Sequence, residues 1–230
     1  MAALQLNNFE TDHPNALCLL QGDYVARLIE EADEDEVRTY QMLRYECFVQ
    51  RKGWVMDDPA NPGLEIDHYD PHCYHLGVFQ ETPRGAQLVA YLRALPWQEQ
   101  SGLMLQYEFH DLVSEEAAGG LAQEGNVEIS RLVVAQPPGS GRAESAVLAE
   151  LLFKLVYGLG KCLGWTTYYI VLEEAWLRVL NRRFAIPFAP LGAPQTYADG
   201  TRTLAAYAAC ETMEESMQRS APAKYNWYQK

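Results

Sequence analysis

The first regular pattern of apolar residues begins after an acidic run at residues 33–36. From there, apolar side chains recur at the three- and four-residue spacing of a helix, at Val37, Tyr40, Leu43, Cys47 and Phe48. Acidic residues favour the start of a helix because its N-terminus carries partial positive charge, and Gly53 favours its end. The pattern therefore predicts one helix between these limits. Before it, residues 1–22 predict an irregular N-terminal arm, and residues 23–32 fit a short helix.

The rest of the chain alternates between strand-like and helix-like segments. Runs rich in β-branched and aromatic residues predict strands at residues 64–70, 74–80, 87–95, 126–135, 166–172 and 201–210. Two longer runs predict helices at residues 143–163 and 173–184. This order predicts an α/β fold with a mixed, twisted central sheet flanked by helices, in a single domain over residues 1–230. Residues 211–230 predict a polar C-terminal tail.

Composition narrows the class of protein. The chain has 18 Lys and Arg against 31 Asp and Glu, a formal net charge of −13, which argues against general binding of nucleic acid. The most apolar run, residues 146–160, is interrupted by charges and is too short to span a bilayer, so no membrane span is predicted. The first residues lack the basic stretch of a secretory signal, and five scattered cysteines form no Cys-x-x-Cys pair. We therefore predict a cytoplasmic protein in a reducing compartment.

Candidate chemistry is concentrated between Arg44 and Asp70, where carboxylates stand beside aromatic residues. Alternation in a strand would place Glu65 and Asp67 on one face and Asp70 on the other. Carboxylates beside aromatic rings suit a small molecule that carries an amine or another cation. A solvated strand edge explains the same residues, and this segment alone does not decide between the two interpretations.

Two cations stand inside apolar strands, and buried cations require partners. Arg93 and Arg131 are therefore predicted to share one ionic network with Asp67, Asp70 and Glu128. The network is compatible with a structural role alone.

The histidine spacing fits no standard ligand pattern, so no metal is predicted. No nucleophile motif appears, which favours direct group transfer over an acyl-enzyme.

An ordered set of nine residues resembles the acyl-homoserine-lactone synthases of bacterial quorum sensing. The set comprises Arg44, Phe48, Trp54, Asp67, Asp70, Arg93, Phe109, Glu128 and Arg131. The local strings match too: Arg-x-x-x-Phe before Gly-Trp, Glu-x-Asp-x-Tyr-Asp, and Glu-x-Ser-Arg. The resemblance covers about residues 44–209. It implies a GNAT-like fold and transfer of an acyl group from acyl-CoA or acyl-carrier protein to the amine of S-adenosylmethionine, followed by lactone closure with loss of methylthioadenosine.

The resemblance also implies roles for individual residues. Catalytic roles fall to Glu128, which would relay the amine proton, and to Arg131 and Asp67. Binding of the acceptor falls to Arg44, Phe48, Trp54, Asp70, Arg93 and Phe109. Binding of the acyl donor is predicted at Val133, beside the strand at 127–134, and at Gly139, Gly141 and Arg142. The glycine turn opens the long helix and can present backbone N–H groups to a phosphate, and a plain loop explains the same turn. No cofactor is expected beyond the two substrates.

Several alternatives stay open. His68 stands where Gln is common in the family, and Glu173-Glu174 replaces a stretch that often carries Thr or Gly, so the acyl preference is not fixed. The strong negative charge favours acyl-CoA as the acyl donor, whereas the resemblance to the family favours an acyl-carrier protein. A carrier protein would need a basic patch, for which the candidates are Arg178, Arg182, Arg183, Lys154 and Lys161. Two other functions stay open. One is an N-acyl amino acid synthase, and the other is an inactive GNAT-like domain that only binds acyl-CoA or a partner.

Overall fold

The structure, a computed structural model, describes residues 17–135 and 141–229. The chain divides into two compact units, residues 1–93 with 131–159, and residues 94–130 with 160–230. The boundaries between the units fall within two strands and one long helix. The prediction of a single domain stays a prediction.

The first unit is built on antiparallel strands. They are β1 (Cys18–Gln21), β2 (Tyr24–Ile29), β3 (Tyr74–Thr82) and the part of β4 (Gly85–Pro96) up to residue 93. The last part of β5 (Asn126–Val134) follows β4, where the Ala135 amide donates to the Val89 carbonyl at 2.8 Å. Helix α1 (Glu34–Arg44) continues into a π-helical segment (Tyr45–Arg51). Asp33 caps α1 by accepting a hydrogen bond from the Glu36 amide.

The second unit contains the parallel strand pair. The first part of β5 pairs in parallel with β6 (Thr167–Glu173), which pairs antiparallel with β9 (Arg202–Ala209). Two short strands, β7 (Ala189–Pro190) and β8 (Gln195–Thr196), also pair with β9. The other helices of the chain are α2 (Glu115–Ala118), α3 (Arg142–Leu163), α4 (Glu174–Val179), α5 (Cys210–Ser220) and α6 (Pro222–Tyr228). A π-helical segment (Leu180–Phe184) extends α4.

The predicted fold class, α/β with a mixed, twisted sheet flanked by helices, is confirmed. Local predictions fail in four places. The arm is wrong at residues 18–21 and the helix is wrong at residues 23–32, because both segments form strands paired in an antiparallel hairpin. The strand at residues 64–70 is an irregular segment ending in a short 3-10 helix (Asp70–His72). The polar tail at residues 211–230 forms most of α5 and α6 as far as it is described.

No helix in residues 17–135 and 141–229 is long and apolar enough to cross a membrane.

Candidate active site

A turn after α1 gathers three carboxylates on one side of the chain. The Glu65 amide donates to the Gln41 carbonyl of α1 at 3.1 Å, which fixes the segment against the helix. The Asp67 amide then donates to the Asp70 carboxylate at 3.1 Å, and the Tyr69 amide donates to the Asp67 carboxylate at 3.0 Å. These turn bonds replace the predicted alternation. The expectation that Asp70 faces away from Glu65 and Asp67 is therefore wrong.

The last residue of α1 binds this turn. Arg44 donates from Nε to Glu65 and from Nη1 to Asp70 Oδ1 at 2.7 Å. Its side chain is fully buried. The planar guanidinium suits two carboxylates at once, since its donors lie in a fixed fork. Arg44 thus joins the end of α1 to Glu65 and to the Asp67–Asp70 turn.

Two further arginines complete the cluster. Arg93 Nη1 donates to Asp67 Oδ1 and to Asp70 Oδ1, both at 2.6 Å. Arg131 Nη2 donates to Glu65 Oε1 at 2.8 Å and to Asp67 Oδ2 at 3.1 Å. These three cations and three carboxylates are called the ionic network below: Arg44, Glu65, Asp67, Asp70, Arg93 and Arg131. The predicted pairing of Arg93 and Arg131 with the aspartates is confirmed.

The ionic network is buried at one end and open at the other. Arg44 and Arg93 have no exposed surface. The side chains of Asp67 and Arg131 retain 19% and 17% of their exposure, and these two residues are hydrogen-bonded to each other. The Asp67–Arg131 pair is therefore the part of the network that contacts solvent, whereas Arg44 and Arg93 are buried.

The electrostatics keep the carboxylates ionised. Burial alone would raise the pKa of Asp67, but the charge and hydrogen bond of Arg93, with the charges of Arg131 and Arg44, outweigh it and lower the pKa to about 2. Burial would also raise the pKa values of Glu65 and Asp70. The charges and hydrogen bonds of the arginines outweigh burial, so both pKa values are lowered. Asp67 is thus a fixed anion at neutral pH and a poor proton acceptor.

The backbone of β5 bends where Arg131 joins the network. Arg131 has φ 55°, in the left-handed region that residues with a Cβ rarely adopt. Such a conformation costs about 1–2 kcal/mol. It interrupts the alternation of β5, so the direction of the Arg131 side chain does not follow from counting along the strand. Strained residues of this kind occur often at functional sites.

Aromatic residues adjoin the exposed end of the network. The Phe48 ring lies 5.6 Å from the Arg131 guanidinium carbon and 6.3 Å from the Trp54 ring, and it packs with Val133. The Phe48 carbonyl accepts from the Trp54 amide at 2.9 Å, which sets the chain after the π-helical segment. Trp54 is 47% exposed, and the Lys52 ammonium lies 3.6 Å from the centre of its ring. The predicted Phe48 thus adjoins Arg131, and the predicted Trp54 and Val133 adjoin Phe48.

The remaining predicted site residues belong to the second unit, to the start of α3 or to the residues that the structure does not describe. Glu128 and Phe109 belong to the second unit, where Glu128 is fully buried and accepts from the Leu105 amide at 3.0 Å. Phe109 is half-buried and its amide donates to the Met104 carbonyl. Gly141 precedes α3 and is exposed. Gly139 and the side chain of Arg142 are not among the described parts of the chain.

Sequence reasoning assigned no role to two features of the site. Glu65 binds both Arg44 and Arg131, and the Glu-x-Asp-x-Tyr-Asp string contained the signal for it. A buried stack of Tyr40, His75 and Tyr91 adjoins Arg44. The sequence did not predict this stack, because each ring stands alone in its own apolar segment. Among the described residues, no group of three or more His, Cys, Asp or Glu is placed to hold a metal ion. The prediction of no metal and no cofactor stays a prediction.

Part of the chain matches a known protein family. Residues 43–148 match a family profile described as an acetyltransferase (GNAT) domain. No curated protein matches the chain.

Solved structures share the fold at low sequence identity. BjaI, a CoA-dependent acyl-homoserine lactone synthase solved with S-adenosylmethionine and isopentyl-CoA, has a TM-score of 0.63 at 23% identity, over 82% of this chain and 83% of BjaI. TofI, solved with an inhibitor and methylthioadenosine, has a TM-score of 0.64 at 18% identity, over 88% of this chain and 99% of TofI. FeeM, an N-acyl amino acid synthase from uncultured soil microbes, has a TM-score of 0.56 at 15% identity, over 84% and 95%. Residues 43–148 are therefore similar to a GNAT acetyltransferase domain, and the chain has the fold that acyl-homoserine lactone synthases share.

Proposed function

We propose that the chain is an acyltransferase that makes an N-acyl-homoserine lactone from an acyl thioester and S-adenosylmethionine. The observation that carries the proposal is the Asp67–Arg131 pair at the exposed end of a buried ionic network. An α-amino acid group presents one cation and one anion close together. Asp67 offers a fixed anion for the ammonium, and Arg131 offers a cation for the carboxylate.

The same pair explains why a separate base is needed. Acyl transfer requires a neutral amine, but Asp67 has a pKa of about 2 and takes up a proton poorly. We assign the removal of the proton to Glu128, directly or through a water molecule. The amine nitrogen then attacks the thioester carbonyl, so that a C–N bond forms, the C–S bond breaks and the thiol leaves with a proton. Holding both substrates together supplies much of the rate enhancement.

Lactone closure follows from the chemistry of the acceptor. Once the amine is acylated, the carboxylate oxygen attacks the carbon next to the sulfonium. A C–O bond forms, the C–S bond breaks and methylthioadenosine leaves. The likeness to BjaI with S-adenosylmethionine and to TofI with methylthioadenosine supports this acceptor.

The donor that we propose is acyl-CoA. BjaI is described as CoA-dependent, and this chain has a net charge of −13, which repels an acidic carrier protein at long range. Lys154 is fully buried, so its predicted place in a basic docking surface is wrong. Lys161 pairs with Glu214 at 2.9 Å.

An acyl-carrier protein would depend on a smaller patch. Three exposed arginines follow one another along α4 and the π-helical segment after it: Arg178, Arg182 and Arg183. No ion pair joins them to the described residues. The Lys224 ammonium adds a fourth charge, since it donates to the Arg183 carbonyl at 2.9 Å. We define these four residues as the α4 basic patch.

A second candidate function is N-acyl amino acid synthesis. The likeness to FeeM favours it, and the Asp67–Arg131 pair would accept the ammonium and carboxylate of any α-amino acid. The free thiols of all five cysteines support a place in the reducing cytoplasm for either enzyme.

One assay separates these functions. The protein is incubated with acyl-CoA and either S-adenosylmethionine or a panel of amino acids, and the products are detected by mass. We expect an N-acyl-homoserine lactone together with an equal amount of methylthioadenosine. An N-acyl amino acid as the main product would favour the second candidate. No acylated product with any acceptor or donor would leave only a domain that binds its ligands, and would reject the proposal.

A further inference from the structure

A buried stack of rings lies behind the ionic network. The Tyr40 ring of α1 packs against both His75 and Tyr91, at 4.5 Å and 4.8 Å between ring centres, with interplanar angles of 15° and 13°, and the His75 and Tyr91 ring centres lie 6.0 Å apart. His75 and Tyr91 come from the neighbouring strands β3 and β4. His75 is 3% exposed and Tyr91 is fully buried. The described function assigns nothing to these three residues.

The partners of His75 define its tautomer. One ring nitrogen, Nε2, lies 3.1 Å from the Asp70 carbonyl, which can only accept. The other, Nδ1, lies 2.6 Å from the Tyr91 hydroxyl. The pattern is satisfied when Nε2 carries the proton and donates to Asp70, while Nδ1 accepts from Tyr91. The Tyr40 hydroxyl lies 3.4 Å from Nε2, at the limit of a hydrogen bond.

Burial keeps the His75 ring neutral. Burial lowers the pKa of His75 to about 4; Arg44 of α1 and Arg93 of β4 act in the same direction, and the Asp70 charge and carbonyl oppose them. Burial also raises the pKa values of Tyr40 and Tyr91, so both hydroxyls keep their protons. The imidazole at neutral pH is therefore an orienting group and not an acid.

The Asp70 carbonyl belongs to the turn that shapes the site. It also accepts from the Cys73 amide at 3.2 Å, closing the 3-10 helix. The Asp70 carboxylate binds Arg44 and Arg93 and accepts from the Asp67 amide. A shift of this turn would therefore move Asp67, the anion at the exposed end.

We propose that His75 is a positioning residue, which holds the Asp67–Asp70 turn through a fixed Nε2–H tautomer that the Asp70 carbonyl requires and the Tyr91 hydroxyl accommodates. Its kinetic consequence rests on the proposed function, because it concerns the binding of the amine acceptor. The tautomer itself does not depend on any activity.

The tautomer is measured by nitrogen NMR on the full-length protein labelled with 15N-histidine, at pH 7. The chain has five histidines, and replacing the other four in turn assigns the His75 signals without altering His75. We expect a neutral ring with the proton on Nε2. A ring protonated on Nδ1, or on both nitrogens, would overturn the proposal.

The positioning role is measured by the KM of the acceptor. We expect His75→Leu to raise it by about 10- to 100-fold, the scale of a misplaced binding group, with little change in the KM of the donor. His75→Gln, which keeps an N–H donor in reach of the Asp70 carbonyl, should recover most of this loss. Leu76→Ala is the matched control, since Leu76 is buried beside His75 on the other face of β3.

The outcomes separate the inference from the proposed function. An unchanged acceptor KM in folded His75→Leu, or an equal rise in Leu76→Ala, would overturn the positioning role while lactone synthesis stood. If His75→Leu does not fold, the acceptor KM of His75→Gln decides. A KM near the wild-type value supports the positioning role, and a large rise in KM overturns it. If the wild-type protein makes no product, the proposed function fails, and the NMR result alone decides whether His75 has the fixed Nε2–H tautomer.

Discussion

Asp67 and Arg131 are the residues at which the buried network becomes available to a substrate. Removing one partner of a fully buried ion pair costs about 3–5 kcal/mol, because the other charge is left unpaired. Arg44 and Arg93 are in that position, so their replacement tests folding more than chemistry. Asp67 and Arg131 keep some exposure, and water can partly replace a lost partner there.

We expect Asp67→Asn, Arg131→Ala and Glu128→Gln each to lower kcat/KM by about two orders of magnitude or more, the usual scale for electrostatic and acid–base groups. Steady-state kinetics with acyl-CoA and S-adenosylmethionine measure the loss, and circular dichroism shows whether each variant is folded. Full activity in folded Glu128→Gln would remove Glu128 from the mechanism.

Acid should weaken the protein in two steps. His75 has a folded pKa of about 4 against 6.5 for the free side chain. The unfolded chain therefore binds the extra proton, and the stabilisation is complete above pH 6.5 and is lost as pH falls towards 4. It amounts to about 3 kcal/mol. Asp67, with a pKa lowered from 3.8 to about 2, adds a further loss below about pH 4.

Urea unfolding between pH 4.5 and 7.5 measures the first step. In His75→Gln the free energy of unfolding should change much less over this range. His110→Gln, which alters an exposed histidine, should keep the wild-type dependence. A wild-type stability that does not vary from pH 7 to pH 4.5 would contradict the neutral, buried state of His75.

At the scale of elements, regular segments followed from their own patterns. The predictions of β3, β4, β5, β6 and β9 were correct within a few residues, as were those of α1 and α3. Their apolar periodicity is long enough to identify them. β1 and β2 were missed because strands this short are fixed by pairing with a neighbour, which a local pattern does not contain.

The site shows the same limit. The charged residues could be found from the sequence, because carboxylates and arginines in apolar surroundings require partners. Their geometry could not. The strand expected at residues 64–70 contains a turn whose bonds to Gln41 and within Asp67–Asp70 depend on the folded helix beside it. The positive φ of Arg131 and the ring stack around His75 likewise depend on tertiary contacts.

The packing of α3 on β6 offers a test of the second unit. A Cβ at Gly160 would lie 1.9 Å from the Tyr168 hydroxyl. We expect Gly160→Ala to lower the free energy of unfolding by about 1–3 kcal/mol, since the tyrosine must move. Gly119→Ala is the control, because a Cβ there meets nothing within 4 Å. Equal stability of the two variants in urea unfolding would contradict this packing.

At the scale of the whole molecule, the net charge of −13 bears on the choice of donor. We expect a higher kcat/KM for acyl-CoA than for the same acyl group on a carrier protein. Salt should raise the value for the carrier protein, because it screens the long-range repulsion. The measurement compares both donors at low and high salt.

A docking role for the α4 basic patch would give the opposite result. The carrier protein would then be much the better donor, and replacing Arg182 and Arg183 by Glu would abolish its advantage. The matched control replaces Arg38 and Arg84, two exposed arginines, by Glu. It changes the net charge equally and lies outside the patch.

The central claim is that the exposed end of the ionic network binds the amine acceptor. Titration calorimetry of S-adenosylmethionine with the wild-type protein, Asp67→Asn and Asp58→Asn tests it most directly. Asp58 is an exposed carboxylate outside the network. We predict that Asp67→Asn weakens binding at least about tenfold, the scale of a hydrogen bond to a charged group, and that Asp58→Asn binds as the wild type does. Equal affinity of folded Asp67→Asn and wild type would contradict the account.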